Sequence, residues 1–276
     1  MRTRLARIAM TFVAISGIAC HKFAFADQVS WNSPEIVAVA LISGRGPTPP
    51  EKDFWAALDI KLVPGWLTYW KSPGPYGFAP NFDWSKSRNL AEAEMLWPAP
   101  KREVLPGQDA DTAIYTGHVT LPVRLRPTNA GQPMDIHLEM DFGVCSDVCV
   151  PEHAVLTRLI KPEQTGDDDG EKVIGMAKLN LPLSNGSNGL QVGEAKLQDP
   201  AKLTIHVLTS DIPSTDIFVE GEFANCLRRP TVNPERGFGA AFTFDFLCHR
   251  APESLTVVAI KGPMSISAFV PVSRAD

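Results

Sequence analysis

The chain has 276 residues, 44% of them hydrophobic and 21% charged, with a formal net charge of −5. That length and apolar content suffice for one large or two small globular domains, and 24 Pro with 20 Gly favour turn-rich β structure. The mildly acidic balance excludes an electrostatic case for binding nucleic acid or an anionic membrane surface.

The N-terminus has the pattern of a secretory signal: a basic Met1–Arg7, an apolar Ile8–Ala19 too short to span a bilayer, and Ala24-Phe25-Ala26 as an A-x-A cleavage site. Residues 1–26 are predicted to be removed, leaving a mature start at Asp27 and a more acidic chain. Cys20 is the rival reading, as a lipoprotein acceptor, but the Leu usual three residues before such a Cys is replaced by Gly17. No later stretch is long and apolar enough to cross a bilayer, so a soluble periplasmic protein is expected.

Period-two alternation follows. Phe54, Ala56, Leu58, Ile60 and Leu62 share one face of Asp53–Val63. Val119, Leu121, Val123 and Leu125 do the same, as do Ile136, Leu138, Met140 and Phe142. Val155, Thr157 and Leu159 continue the pattern more weakly. Turn-rich stretches such as Lys71–Pro80 and Arg126–Pro133 lie between. Many short strands with such connections predict an all-β protein built on β-sandwiches. Lys161–Glu171 is polar and acidic and reads as a linker; Lys172–Leu181 reads as a short helix, and Ser184–Gly189 as a flexible break. Strands at Leu203–Val207, Ile217–Val219, Phe242–Phe246, Leu255–Ala259 and Ile266–Val270 suit a second, smaller sandwich. The predicted domains are therefore 27–160, a linker with helix over 161–189, and 190–276.

Five Cys less Cys20 leave four: Cys145, Cys149, Cys226 and Cys248. An even number in an exported chain suggests disulfides. Residues i and i+4 of a straight strand lie about 13 Å apart, whereas a disulfide needs Cα atoms within about 7 Å. The chain must therefore turn if Cys145 and Cys149 bond, and Ser146 and Asp147 are good turn residues. So short a ring closes little chain, which favours redox use over stapling. A structural bond and metal binding stay open, since CxxxC is a weak motif. Cys226 and Cys248 suit a structural disulfide between strands, contributing about 3 kcal/mol by loop entropy.

The series Gly65-Trp66-Leu67-Thr68-Tyr69-Trp70-Lys71-Ser72-Pro73-Gly74, then Pro80–Asn89, Trp97-Pro98-Ala99-Pro100, Leu121-Pro122-Val123 and Cys145…Cys149-Val150-Pro151, resembles the N-terminal periplasmic domain of DsbD-type thiol:disulfide interchange proteins, the ScsB-type included. The resemblance spans about residues 30–160. It implies an immunoglobulin-like sandwich, Cys145 and Cys149 as the redox pair, and Cys149 as the cysteine that bonds to partners. It also implies partners on other chains: a membrane electron-transfer protein or thioredoxin-like donor, and periplasmic clients bearing disulfides. The chain lacks the family's membrane transporter and thioredoxin-like domain, and it spaces its cysteines more closely. The family's aromatic cap loop is matched by Pro106–Thr112, which has no aromatic residue, so Tyr76 and Phe78 are expected to shield the pair instead. Trp66 and Tyr69 are expected to line the site or to belong to the core. Asp147 would raise a neighbouring thiol pKa or serve only as a turn former, and His153 would lower one if it folds back.

Two other functions compete. A copper-handling protein could use Cys145, Cys149 and His153 with His118 or His137, or His249 beside Cys248. A non-catalytic interaction module would hold only structural disulfides. No phosphate loop, hydrolase triad or dinucleotide motif is present, and neither cofactor nor bound metal is expected.

Overall fold

The computed structural model describes residues 29–31, 33, 35–46, 53–104, 108–163, 168–198, 201–237 and 239–274. The expected signal peptide, its cleavage site and Cys20 lie outside the described residues. The N-terminal half holds β1 Val29–Trp31, β2 Val37–Ser43, β3 Phe54–Leu62, β4 Leu67–Tyr69, β5 Asn81–Asp83, β6 Leu90–Met95, β7 Lys101–Glu103, β8 Thr112–Thr116, β9 His118–Pro127, β10 Met134–Cys145 and β11 Cys149–Ile160. Helix α1, Asp168–Leu179, precedes β12 Leu183–Ser184, β13 Gln191–Gln198, β14 Lys202–Leu208, β15 Thr215–Val219, β16 Thr231–Glu235, β17 Gly239–Asp245, β18 Ser254–Lys261 and β19 Met264–Arg274.

The fold is all-β, as the alternation predicts. Among the described residues, one N-terminal sheet runs β1-β11-β10-β4-β8-β7, with β5 also paired to β10, and the other runs β2-β3-β9-β6. Their inward side chains meet in one core, including Leu58, Ile60, Leu121, Val123, Ile136, Leu138 and Met140. The C-terminal half runs β15-β18-β19-β13-β14-β17-β16, with β12 beside β19. Most of β19 pairs antiparallel with β18, while Val272–Arg274 pairs parallel with β13, so one long strand joins two layers. Between them sits a second core of Val192, Ile205, Ile217, Phe242, Val257 and Ile266, among others.

Three readings need correction. On β11 the core-facing residues are Ala154, Leu156 and Ile160, not Val155, Thr157 and Leu159. The register decides this: Leu156 pairs with Leu138 and Ile160 with Met134, both buried, so the opposite phase faces out. The polar linker is partly helix, because α1 starts at Asp168 and ends at Leu179 rather than spanning 172–181. Asp168, Asp169 and Glu171 complement the helix N-terminus, while Ile174 and Ala177 are buried on its inner side. Finally, β13 and β16 are strands that alternation missed, since β13 is half polar and every residue of β16 is exposed.

The two halves share an interface of polar and aromatic contacts. Arg102 of β7 grips Asp216 of β15 at two points, Nε to Oδ2 at 2.8 Å and Nη2 to Oδ1 at 2.7 Å, and donates to Ile217 O and Asp111. Burial disfavours its charge, but Asp216 and Asp111 outweigh that and hold its pKa above the ordinary value. The guanidinium lies 4.7 Å from the Phe218 ring centre, and Phe218 packs edge-on against the fully buried Trp70 at 6.0 Å.

Candidate functional site

The hairpin β10/β11 is in register along its full length, from Met134↔Ile160 to Cys145↔Cys149. Its closing loop is Ser146–Val148, with Ser146 N donating to Val148 O at 2.9 Å. The expected turn brings the two cysteines to a Cα separation of 4.1 Å, and they form a disulfide. Cys145 is 4% exposed, packed with Tyr69, Ile114 and Leu67. Cys149 is exposed, and Val148 before it is 63% exposed. One cysteine is thus anchored in the sheet while its partner is exposed.

Tyr69 joins the pair directly. Its hydroxyl lies 2.9 Å from Cys145 Sγ and 3.6 Å from Cys149 Sγ. Two glycine backbones hold the ring. A Cβ on Gly77 would stand 3.0 Å from Tyr69 Cδ1, and one on Gly143 would stand 3.0 Å from Cε2. Both contacts are tighter than most that a Cβ makes, so the ring packs closely on the two glycines; a Cβ on Gly77 would also meet Pro73 Cβ. Burial raises the Tyr69 pKa, so the phenol stays protonated at neutral pH and can donate to sulfur.

The other expected site residues fall elsewhere. Trp66 packs against the main N-terminal core, outside the cluster around Cys145. Phe78 lies beside Gly143, where its Cβ would be 3.2 Å from an added one, yet it is 49% exposed. Tyr76 donates its hydroxyl to Asp109 Oδ1 at 2.6 Å. Asp147 is an exposed loop residue. His153 does not fold back toward a sulfur: its Nδ1 lies 2.7 Å from Asp141 Oδ1, its cross-strand neighbour. His118 pairs with Asp59 at 2.6 Å and His137 with Glu139 at 3.0 Å. Among the described residues no three His, Cys, Asp or Glu side chains form a group suited to a metal ion. Sequence reasoning gave no role to Asp109 or Arg228; a lone surface Asp and Arg carry no pattern until the fold brings them together.

Cys226 and Cys248 form the second disulfide, with Cα atoms 5.3 Å apart. Cys226 ends a short 3-10 turn, Glu222–Cys226, and is buried. Cys248 packs partly buried on the C-terminal core.

Fold and pair together define an immunoglobulin-like β-sandwich carrying a hairpin-tip disulfide. Residues 45–161 match the family described as "Thiol:disulfide interchange protein DsbD, N-terminal". The crystal structure of the N-terminal periplasmic domain of ScsB from Proteus mirabilis superposes with a TM-score of 0.70 at 19% identity, covering 91% of this chain and 99% of that one. The shared fold therefore extends through both halves. An endo-fucoidan hydrolase of glycoside hydrolase family 107 gives a TM-score of 0.19 at 10% identity, over 91% of this chain and 39% of that one, and carries no argument. Comparison with curated proteins gave no match. No helix among the described residues is long and apolar enough to cross a membrane.

Proposed function

We propose that this protein is a periplasmic thiol–disulfide exchange module working through Cys145 and Cys149. One observation carries the reading: an exposed Cys149 is bonded to a buried Cys145 beneath a protonated Tyr69 hydroxyl, within a segment that matches a thiol:disulfide interchange family.

The chemistry is two successive displacements. In the reduced protein the Cys149 thiolate attacks a client disulfide, forming a mixed disulfide and releasing one client thiolate. The Cys145 thiolate then attacks Cys149 Sγ, restoring the Cys145–Cys149 bond and releasing the second client thiolate. The client gains two electrons and the pair loses two. A thioredoxin-like dithiol, or the membrane protein that serves it, returns them by the same steps in reverse. Tyr69 is suited to both steps, because its hydroxyl can donate to whichever sulfur carries the charge, and a charge-assisted hydrogen bond is stronger than a neutral one. Attack at Cys149 also follows from exposure, since a partner cannot reach Cys145 first.

The test is a titration of the mature protein against glutathione redox buffers, with the Cys145–Cys149 state read by mass spectrometry. The expected potential lies above about −300 mV, within reach of cellular thiol couples. A value well below that marks an inert structural bond and overturns the reading.

A further inference from the structure

Tyr69 is held by more than its own strand. Gly77, against one side of its ring, follows Tyr76 in a turn closed by Gly77 N to Gly74 O at 3.3 Å. The Tyr76 hydroxyl donates to Asp109 Oδ1 at 2.6 Å, and Arg228 Nε donates to Asp109 Oδ2 at 2.7 Å. Arg228 belongs to the C-terminal half and is fixed from its own side. Its amide donates to Asp245 O at 3.0 Å, and Cys226, two residues earlier, is bonded to Cys248. The next residue closes a second link, with Arg229 N donating to Asp109 O at 3.1 Å and Arg229 Nε to Asp111 at 2.6 Å. Asp109 and Asp111, in the stretch that lacks an aromatic cap, are thus pinned by two arginines of the other half.

We infer that Arg228, Asp109 and Tyr76 are positioning residues for the redox pair: the C-terminal half, through this relay, braces the loop that presses Gly77 on Tyr69 and so keeps the Tyr69 hydroxyl on the sulfurs. The inference rests on the exchange reading above and assigns the C-terminal half a task in it. A protonated phenol held at a sulfur stabilises the thiolate relative to the thiol. Loosening the relay lets the ring drift, and the thiolate loses its donor. Asp147 is the charged residue of the closing loop itself and is left unchanged in every variant.

The experiment uses the full mature chain with Cys145–Cys149 reduced and Cys226–Cys248 verified intact by mass spectrometry. Alkylation by iodoacetamide is followed against pH. The midpoint reports the thiolate's surroundings, and the high-pH plateau reports access. Tyr69→Phe sets the full effect, with alkylation at pH 7 slowed roughly tenfold by loss of a hydrogen bond to a charged group. Tyr76→Phe and Arg228→Ala are expected to raise the midpoint in the same direction, slowing alkylation at pH 7 about threefold, a partial loss of that bond. Arg229→Ala disturbs the same junction without cutting the relay to Tyr76 and is expected to leave the midpoint in place. An unchanged midpoint in Tyr76→Phe overturns the inference, and that variant decides the question if Arg228→Ala fails to fold. A Tyr69→Phe midpoint equal to wild type overturns it as well. Failure of the exchange reading shows separately, in the glutathione titration of the wild-type protein.

Discussion

Cys145–Cys149 closes a ring with a sequence separation of 4 at the end of a hairpin, whereas Cys226–Cys248 spans 22 positions inside the C-terminal half. The loop-entropy estimate assigns the first about 2 kcal/mol and the second about 3 kcal/mol. The larger difference is in their surroundings. The first bond has one exposed cysteine and a phenol hydroxyl against it; the second is packed on an apolar core. A disulfide becomes exchangeable through access to one sulfur and stabilisation of the departing thiolate, and these come from neighbouring residues rather than from the bond.

The largest effect is expected from Cys149→Ser, which should lower the rate of exchange with a thioredoxin-like dithiol by at least about 100-fold, since the thiol that remains, Cys145, is buried. Its unfolding free energy in urea should fall by no more than about 2 kcal/mol. Replacing both Cys226 and Cys248 by Ser should invert that pattern. Urea unfolding should show a loss of about 3 kcal/mol, with Cys145–Cys149 still exchanging. Equal stability losses in the two variants would erase the contrast.

Arg102→Ala probes what joins the two regions. Among the described residues it leaves Asp216 with no side-chain donor and Asp111 with Arg229 alone, and it should cost about 2 kcal/mol in thermal or urea unfolding. Gly143→Ala is smaller in stability, about 1 kcal/mol from the clash with the Tyr69 ring, but its alkylation midpoint should rise as in Tyr69→Phe. A Gly143→Ala protein that titrates like wild type would show that the ring grip is dispensable.

The smallest effect is a pH dependence far from either disulfide. Burial pushes the Asp59 pKa up, but hydrogen bonds from Thr120 and His118 and the charges of His118 and Lys61 outweigh it and hold it below the ordinary carboxylate value. A depressed carboxylate stabilises the fold fully above its unfolded pKa of about 4, and that contribution is lost as pH falls through the lower folded value. The stability gap between wild type and Asp59→Asn should therefore narrow as pH falls below about 4.

Much of this was legible in the sequence. Alternation located β3, β9 and β10 and their core faces, because half-buried strands must alternate. The spacing of Cys145 and Cys149 required a turn if they were to bond, and the hairpin has one. Tyr69 was singled out as lining either site or core and stands where the two meet. Other features stayed hidden. The inward phase of β11 depends on register with β10, which weak alternation cannot fix. The fully exposed β16 has no buried face to betray it.

The sequence by itself determined the fold class, the cysteine pairs and the aromatic run, because each follows from local composition, parity or spacing. The tertiary structure decided that Tyr69 rather than His153 meets the sulfurs, that Trp66 serves the core, and that Arg228 reaches Asp109 across the two halves. Those contacts join residues up to 119 positions apart, and their geometry depends on how two independently patterned cores pack together, which no local pattern encodes.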